Sequence, residues 1–321
     1  MNKTFSNQLY DLGISSAKAV IKNLFKATGF KVSRSDWHQQ ETLVRQYLAA
    51  GSIPWSPGYL EARELMIRKI LSDMNILESF RRSTPLPDQH GVGFDERSVE
   101  IPWLMAFLGT DRERVLDAGS VLNHLYILEQ PQLEKKKLDI LTLAPEDLCF
   151  WKRGISYIFT DLREIPICDS FYDAVVCIST LEHVGFDNSK YTHTKSSSKE
   201  SPMDFKVVMK ELRRVLKPKG RLFLTVPYGI HRNYELFQQF DHALLSQAIE
   251  AFGSASEVVT DFYRHTPHGW NAASRNECAE CEYSETIVKV WLGKEKLKPY
   301  RIEADRAAAA RAVACVRITK G

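Results

Sequence analysis

An acidic residue and a glycine that closely follow a short apolar run are the first residues in the chain that could do chemistry. Asp117 and Gly119 come directly after Val115 and Leu116. A strand that turns sharply at a glycine into a helix presents backbone N–H groups to a ligand. The missing Cβ of Gly119 also lets a ligand approach the backbone closely. The Asp117 carboxylate either contacts that ligand or caps the next helix, which we expect to begin near Leu122.

A second group of polar residues follows the predicted fourth and fifth strands. Glu182 and His183 come after strand four, where the crevice of an open α/β sheet usually lies. His183 is a candidate general base because imidazole titrates near neutral pH, and the alternative is a buried histidine with a satisfied hydrogen bond. Tyr228 and His231 follow strand five and are expected on the same rim.

Four possible metal ligands form two pairs, His265 with His268 and Cys278 with Cys281. Nitrogen and thiolate ligands both suit zinc. A single Cys-x-x-Cys pair with nearby histidines is a weak signal, and we predict no metal site.

The composition is that of a globular protein. The 321 residues, of which 44% are hydrophobic and 26% charged, suffice for one domain with an appendage or for two domains. A net charge of +3 does not indicate a nucleic-acid partner. Six cysteines in a long chain favour reduced thiols. The sequence shows neither a bilayer-length apolar run nor a secretion signal, so we expect a cytoplasmic protein.

Residues 1–93 have the pattern of a helical N-terminal cap. Helices are predicted at Ser15–Thr28, Ser35–Ala50 and Tyr59–Glu78, and a loop at Ser83–Gly93. Lysines line one face of the first helix, which therefore packs on the domain or rests on an anionic membrane surface.

Residues 94–321 have the alternating strands and helices of a mostly parallel sheet. A helix over Asp95–Leu108, with Asp95 as N-cap, precedes the first strand. The seven predicted strands are Arg114–Leu116, Lys137–Leu143, Ile155–Phe159, Ala174–Ile178, Arg221–Val226, Val258–Tyr263 and Ala312–Ile318.

Three further segments of residues 94–321 have a predicted structure or role. A helix is predicted over Met203–Leu216 and is ended by Lys217–Gly220. The alanine-rich run Ala307–Ala314 favours a helix. The polar insert Gly185–Pro202 lies beside the expected crevice, either as a substrate lid or as a tolerated surface insertion.

Four segments carry a resemblance to a known family. They are Val115–Gly119, Thr160–Leu162 with Ile165 and Pro166, Phe171–Val176, and Glu211–Pro227. Together they resemble the class I S-adenosylmethionine-dependent methyltransferases. A narrower similarity covers about residues 90–285. It rests on Ser179–Gly185, Tyr191, and Gly269–Trp270 before Glu277–Cys278, and it is to methyltransferase-like proteins of bacterial surface-polysaccharide gene clusters.

The resemblance implies a Rossmann-like, seven-stranded, mostly parallel sheet with helices on both faces, and S-adenosyl-L-methionine bound across the ends of strands one to three. The implied cofactor residues are Asp117, Gly119, Ser120, Thr142, Asp161 and Leu162. The implied catalytic residues are His183, Glu182 and His231. Three residues before strand one could close over the cofactor: Glu96, Glu100 and Trp103. The implied acceptor is a small polar molecule, such as a sugar or glycan precursor.

The cofactor motif departs from the family pattern at three positions. Val121 and Asn123 stand where the family usually has glycines. Thr142 stands near the place of a ribose-binding acid, for which Glu146 or Asp147 could substitute. The alternative function is therefore a catalytically degenerate binding or scaffolding protein with the same fold.

Overall fold

The computed structural model describes residues 34–192, 201–296, 298 and 302–321. The helix predicted at Ser15–Thr28 lies outside these ranges, and so does the middle of the polar insert, residues 193–200. No helix within the described ranges is both long and apolar enough to cross a membrane.

Eleven helices and ten strands are formed by the described residues. The helices are α1 (Arg34–Ala49), α2 (Tyr59–Ser72), α3 (Met74–Arg82), α4 (Arg97–Leu108), α5 (Leu125–Leu128), α6 (Pro131–Glu134), α7 (Ser189–Thr192), α8 (Phe205–Val215), α9 (His242–Phe252), α10 (Arg275–Cys278) and α11 (Glu285–Trp291). The strands are β1 (Arg114–Ala118), β2 (Lys137–Thr142), β3 (Ser156–Phe159), β4 (Tyr172–Ile178), β5 (Leu216–Pro227), β6 (Arg232–Asn233), β7 (Gln238–Gln239), β8 (Ala255–Thr266), β9 (Gly269–Ala273) and β10 (Ala312–Lys320). Short 3₁₀ turns occur at Trp151–Arg153 and Leu181–His183.

Eight of the strands form one sheet in the order β3-β2-β1-β4-β5-β10-β8-β9. Strands β1 to β5 are parallel to one another. Strand β10 is antiparallel to both β5 and β8, and β9 closes the sheet as a hairpin with β8. The α/β fold with a mostly parallel sheet is thus confirmed, but the sheet has eight strands and not seven. The missed strand, β9, has the sequence Gly-Trp-Asn-Ala-Ala, which is a poor strand pattern.

Alternate residues of the central strands face two different hydrophobic cores. In β4, Ala174, Val176 and Ile178 belong to the first core, and Val175 and Cys177 belong to the second. Helices α1 to α4 contribute to the first core, and α8 and α9 to the second. The sheet therefore has helices on both faces, as the sequence predicts.

The described part of the predicted cap, residues 34–93, packs on the first face of the sheet and shares its core. The single helix predicted over Tyr59–Glu78 is wrong in one respect, because it is two helices. Helix α2 ends before Asp73, whose side chain accepts hydrogen bonds from the N–H groups of Asn75 (2.9 Å) and Ile76 (3.4 Å) and so begins α3. The division of the chain at residue 93 stays a prediction.

The segment Lys217–Gly220 does not end a helix in a loop, as the sequence predicts, but lies inside β5. Helix α8 ends at Val215, and β5 begins one residue later. On β4, Tyr172 pairs with Leu216 while Ala174 pairs with Arg221, so β5 carries extra residues as a bulge.

The alanine run Ala307–Ala314 is not a helix. Residues 307–310 have no regular secondary structure, and β10 begins at Ala312. The Ala310 N–H donates to Glu96 Oε2 (3.2 Å), and the Ala308 carbonyl accepts from Trp55 Nε1 (2.6 Å). These tertiary hydrogen bonds replace helical ones, and the small side chains let the segment lie buried.

Candidate functional site

The side chain of Asp117 lies fully buried at the end of β1. Its Oδ2 accepts a hydrogen bond from the Leu122 N–H at 2.7 Å. Its Oδ1 has no hydrogen-bond partner among the residues that the structure describes. Burial raises the pKa of Asp117 to about 8. Asp117 thus holds the loop after β1, and the following helix begins at Leu125 and not at Leu122.

The backbone at Gly119 is approached closely by a protein side chain. Gly119 has φ +124°, and a Cβ there would lie 2.0 Å from Oγ1 and 2.6 Å from Cγ2 of Thr180. The prediction that the missing Cβ makes room for a ligand is therefore wrong for this face of the glycine. The space is taken by Thr180, which follows β4, and the contact joins the ends of β1 and β4.

The carboxylate of Glu146 accepts hydrogen bonds from three polar side chains near the turn after β1. Ser120 Oγ donates to it, and so do Asn123 Nδ2 (2.7 Å) and Thr142 Oγ1 (3.3 Å). Ser120 and Asn123 follow β1, whereas Thr142 ends β2. An exposed carboxylate that already accepts from two hydroxyl groups thus lies at the ends of β1 and β2.

Asp161 and Leu162 follow β3 and have structural partners. Asp161 forms an ion pair with Arg163 (2.8 Å) and also accepts from the Arg163 N–H (2.8 Å). Burial opposes ionisation, but these hydrogen bonds lower the pKa of Asp161. Leu162 is 7% exposed and packs in the second core. Contact of either residue with a cofactor stays a prediction.

An ion pair on α4, with a fully buried carboxylate, lies against the ends of β4 and β5. Glu100 Oε2 pairs with Arg97, and Glu100 Oε1 accepts from Ser179 Oγ (2.6 Å) and Thr225 Oγ1 (2.5 Å). Arg97 was not predicted as a site residue, although its spacing of three from Glu100 on one helix was a signal. Asp95, predicted as the N-cap, accepts from the Arg97 N–H at 3.2 Å, and α4 begins only at Arg97.

Two more buried acids, Glu96 and Glu182, surround this ion pair. Burial raises the pKa of Glu96 to about 7, with help from Asp95 and Glu100, and raises the pKa of Glu182 well above its ordinary value. Glu182 Oε2 has no hydrogen-bond partner in the described part of the chain. Two buried carboxyl groups with raised pKa values therefore lie near Glu100, at the carboxyl ends of β4 and β5.

The two candidate histidines bind the same loop, which joins β5 to α9. His183 Nδ1 donates to the Leu236 carbonyl (2.9 Å), and His231 Nδ1 donates to the Gln239 carbonyl (3.0 Å). Burial lowers the pKa of His183 to about 4. His183 thus has the satisfied hydrogen bond that the sequence analysis gave as the alternative to a general base. At least one role of its ring is to hold this loop.

Two aromatic residues expected at the site, Trp103 over the cofactor and Tyr228 on the rim, lie in the hydrophobic cores. Trp103 is buried in the first core, and its Nε1 donates to Asp261 Oδ2 on β8 at 2.9 Å. Tyr228 is buried in the second core, where its ring packs edge-on against Phe262 with 4.9 Å between centroids. Both side chains fill the interior because their large apolar rings gain most from burial.

The four possible metal ligands are not brought together. His265, Cys278 and Cys281 are buried, whereas His268 is exposed at the turn between β8 and β9. Within the described ranges, no group of three or more His, Cys, Asp or Glu side chains is arranged to hold a metal ion.

A family model described as "Methyltransferase domain" matches residues 134–224. The matched segment runs from the end of α6 to β5 and includes Glu146, Asp161, Glu182 and His183. No curated protein matches the chain.

Solved methyltransferase structures are similar to the chain at low identity. The 1,6-didemethyltoxoflavin-N1-methyltransferase of Burkholderia thailandensis is 13% identical, with 84% of this chain and 92% of that chain covered and a TM-score of 0.40. A SAM-dependent methyltransferase of Thermotoga maritima is 15% identical, with coverages of 80% and 100% and a TM-score of 0.41. The N-methyltransferase NodS of Bradyrhizobium japonicum, bound to S-adenosyl-L-homocysteine, is 11% identical, with coverages of 80% and 98% and a TM-score of 0.38.

The matched segment contains Glu146, which follows β2, and Glu182, which follows β4, whereas Glu96 and Glu100 lie before it. The turn after β1, with Asp117 and Gly119, lies directly beside this matched segment in the sheet. Residues 134–224 match a methyltransferase domain, which supports the enzyme class predicted from the sequence, an S-adenosyl-L-methionine-dependent methyltransferase.

Proposed function

We propose that the protein methylates a small polar acceptor, such as a sugar or glycan precursor, with the cofactor held at the turn after β1. The observation that carries this proposal is a pair of carboxylates flanking that turn. Asp117 has a buried, unpartnered Oδ1 among the described residues, and Glu146 lies exposed at the end of β2. Because β1 and β2 are adjacent and parallel, both acids lie at the same edge of the sheet, where one ligand can span the two strand ends.

The chemistry of these two acids fits an adenosyl ligand. Glu146 already accepts hydrogen bonds from the hydroxyls of Ser120 and Thr142, and a ribose offers two hydroxyl donors of the same kind. A buried acceptor without a partner, such as Asp117 Oδ1, is costly until a donor reaches it. An amino group on the ligand would satisfy Asp117 Oδ1 and favour its ionised form.

S-adenosyl-L-methionine, when bound, supplies a methyl group that the acceptor's oxygen or nitrogen displaces from sulfur, while the acceptor loses a proton. Side chains of the protein can stabilise the charges that change during this transfer. The buried carboxyl groups of Glu96, Glu100 and Glu182 lie near the carboxyl ends of β4 and β5, where their oxygen atoms favour positive charge. Burial raises the pKa of Glu182 well above its ordinary value, and in its protonated form this carboxyl group can donate a hydrogen bond to the acceptor.

The ring of His183 is neutral and its tautomer is fixed by the loop. Because Nδ1 donates to the Leu236 carbonyl, Nε2 is the basic nitrogen of the ring. A neutral imidazole at the end of β4 can accept a proton as the acceptor is methylated and pass it to water. His231 holds the neighbouring part of the same loop and so positions the acceptor side of the crevice.

The acceptor class rests on the resemblance of Ser179–Gly185 and Gly269–Trp270 to proteins of surface-polysaccharide gene clusters. A membrane contact through residues 15–28 and a cytoplasmic location remain part of this proposal and rest on the sequence alone. The oligomeric state is left open.

The cofactor site is tested by calorimetric titration of S-adenosyl-L-homocysteine into the purified full chain. We expect Glu146→Gln to weaken binding by about tenfold to a hundredfold, because a charged acceptor of hydroxyl donors is lost. The neighbouring exposed acid provides the matched control, and Asp147→Asn should change affinity by less than about twofold. Equal affinities of the wild type and Glu146→Gln would remove Glu146 from the site.

The acceptor is tested by incubating the protein with S-adenosyl-L-methionine carrying a deuterated methyl group and with separate panels of sugars, nucleotide sugars and small amines. Mass spectrometry then identifies which compound gains the label. A labelled sugar or nucleotide sugar supports the proposed acceptor class, whereas labelled amines alone would replace it. If the wild type binds neither the cofactor nor its product, the scaffolding alternative is favoured.

A further inference from the structure

Two arginine side chains near the crevice, Arg63 on α2 and Arg97 on α4, use only part of their hydrogen-bonding capacity. Nη1 of Arg63 pairs with Asp95. Nη1 of Arg97 pairs with Glu100. Within the described ranges neither guanidinium group makes another hydrogen bond, and none of their remaining nitrogens is among the buried atoms without a partner. The side chains stay 19% and 27% exposed, so N–H donors of both are accessible to a ligand.

The carboxylate of Asp95 holds the two arginines beside each other. Its Oδ2 pairs with the Arg63 guanidinium group, and its Oδ1 accepts from the backbone N–H of Arg97 at 3.2 Å. The backbone N–H of Asp95 donates to the hydroxyl of Tyr59 (2.9 Å), and the guanidinium carbon of Arg63 lies 5.9 Å from the centroid of the Tyr59 ring. Helix α2 is thus fixed against the first turn of α4.

Helix α4 brings Arg97 to the carboxyl edge of the sheet. The Phe107 carbonyl, at the end of the helix, accepts from Arg221 on β5 at 3.2 Å. Glu100 accepts from Thr225, which lies further along the same strand. The helix therefore runs opposite to β5, and Arg97, in the turn before Glu100, lies beyond the ends of β4 and β5. This is the side of the crevice on which the proposed acceptor lies.

Two side chains of the loop after β1 lie near both arginines. His124 is exposed, and its ring stacks on that of Tyr126 with 5.7 Å between centroids. Desolvation lowers the pKa of His124, and the positive charges of Arg63 and Arg97 lower it further. Burial raises the pKa of Tyr126 to about 12, against the effect of the same two charges. These four side chains therefore surround one place, where α2, α4 and the loop after β1 meet.

The acids in this region oppose an anionic ligand less than their number indicates. Asp95 and Glu100 each occupy one nitrogen of a guanidinium group and leave its other donors free. Burial raises the pKa values of Glu96, Asp117 and Glu182, which favours their uncharged forms. An anion would therefore be held by directed N–H donors and not by a broad positive field.

Phosphate uses such a pair of arginines more fully than carboxylate does. A guanidinium group binds either anion through paired N–H donors. A phosphate monoester offers three strongly accepting oxygens and about two negative charges, so each of two guanidinium groups can contact a different part of it. A carboxylate has only two oxygens and a single charge, which one guanidinium group satisfies.

We propose that Arg63 and Arg97 together bind a phosphate group of the methyl acceptor, which is then a sugar phosphate or a nucleotide sugar. This inference rests on the proposed function and narrows its acceptor class. The phosphate itself undergoes no reaction. The two guanidinium groups hold it at the meeting point of α2, α4 and the loop after β1, and so orient the rest of the acceptor toward the crevice.

The experiment is calorimetric titration of the full chain in the presence of saturating S-adenosyl-L-homocysteine. Five probes are titrated separately: glucose 1-phosphate, UDP-glucose, inorganic phosphate, glucuronate and methyl glucoside. We expect glucose 1-phosphate or UDP-glucose to bind saturably and inorganic phosphate to compete with it. Methyl glucoside, which lacks the phosphate, and glucuronate, which replaces it with a carboxylate, should each bind at least about tenfold more weakly.

Arginine-to-lysine variants test the donors without removing the charge. Arg97→Lys keeps a cation beside Glu100, so the protein should fold, but it loses the paired N–H donors and should weaken the phosphate probe by about tenfold or more. Arg63→Lys should have a similar effect. The control is Arg82→Gln on α3, whose side chain is 72% exposed and which should leave the affinity unchanged. Affinity for S-adenosyl-L-homocysteine should change by less than about twofold in all three variants.

Four results would overturn the inference: no saturable binding of any phosphate probe, equal binding of methyl glucoside, full phosphate affinity in both lysine variants, or a loss in Arg97→Lys of affinity for S-adenosyl-L-homocysteine alone. The last result would assign the guanidinium group to the cofactor. Transfer of the deuterated methyl group judges the proposed function separately. Label found only on unphosphorylated sugars would overturn the phosphate site and leave the methyltransferase activity standing.

Discussion

Replacing Gly119 with alanine tests how tightly the ends of β1 and β4 are packed together. The new Cβ would lie 2.0 Å from Thr180 Oγ1, 2.6 Å from its Cγ2 and 2.8 Å from its Cβ. A short branched side chain cannot move aside without shifting its backbone, so the overlap should cost about 1–3 kcal/mol. The φ angle of +124° adds about 1–3 kcal/mol of strain for a residue with a Cβ. The expected loss in the free energy of unfolding is thus about 2–6 kcal/mol.

The two contributions can be separated by urea unfolding followed by circular dichroism. Gly154 has φ +78°, and a Cβ there would meet nothing within 4 Å, so Gly154→Ala reports the backbone strain alone and should cost about 1–2 kcal/mol. In the Gly119→Ala background, Thr180→Gly removes the overlapping atoms and should restore about 1–3 kcal/mol relative to its effect in the wild type.

The reasoning fails on either of two results. One is that Gly119→Ala is no more destabilising than Gly154→Ala, and the other is that Thr180→Gly has the same effect in both backgrounds. Either outcome would mean that Thr180 does not occupy the open face of Gly119. That face would then be available to a ligand, as the sequence alone suggests.

Two further predictions concern buried carboxyl groups and use the same unfolding assay. Burial raises the pKa of Asp117 to about 8 from an unfolded value of about 3.9, so its contribution to stability is complete below about pH 4 and is lost as the pH rises to about 8. The difference in unfolding free energy between the wild type and Asp117→Asn should therefore fall with rising pH in that window, by up to about 1.4 kcal/mol per unit, and a flat difference would refute the raised pKa. Glu100→Ala should cost about 3–5 kcal/mol, because it leaves the partly buried Arg97 without its ion-pair partner and the hydroxyls of Ser179 and Thr225 without their acceptor, whereas the exposed Glu78→Ala should cost less than about 1 kcal/mol. Similar losses in these two variants would contradict the buried ion pair.

The parallel sheet was predictable because its strands are short apolar runs separated by helices. Each of the seven predicted strands is present, with ends that differ by a few residues. In β5, apolar residues follow the Lys-Pro-Lys-Gly segment. Pairing with β4 extends the strand back through this segment as a bulge, which a local sequence pattern does not reveal. The ninth strand could not be predicted from Gly269–Ala273, because its pairing with β8 and not its own composition makes it a strand.

The alanine run shows how tertiary contacts override local propensity. Alanine favours a helix when nothing else bonds its backbone. Here Glu96 and Trp55 bond to the backbone of residues 307–310 from sites more than two hundred residues away in the sequence. No window of sequence contains that information.

The sequence predicts which residues lie at the strand ends of the candidate site better than it predicts what each residue contacts. Asp117, Ser120 and Thr142 do meet near the turn after β1, because the ends of adjacent parallel strands lie side by side. The partners of these residues were harder to foresee, since Glu146 and Thr180 come from other loops. Whether the assembled residues contact the cofactor stays a prediction.

Strand β10 lies between β5 and β8, and this order makes the assembly of the sheet dependent on residues distant in sequence. Until Ala312–Lys320 pairs, the long strands β5 and β8 each present a row of unpaired N–H and C=O groups to their surroundings. A chain cleaved anywhere before Ala312, or still emerging from the ribosome, would thus expose two unpaired strand edges that favour aggregation. Premature proteolysis between β9 and β10 should therefore yield insoluble fragments and not a smaller folded enzyme.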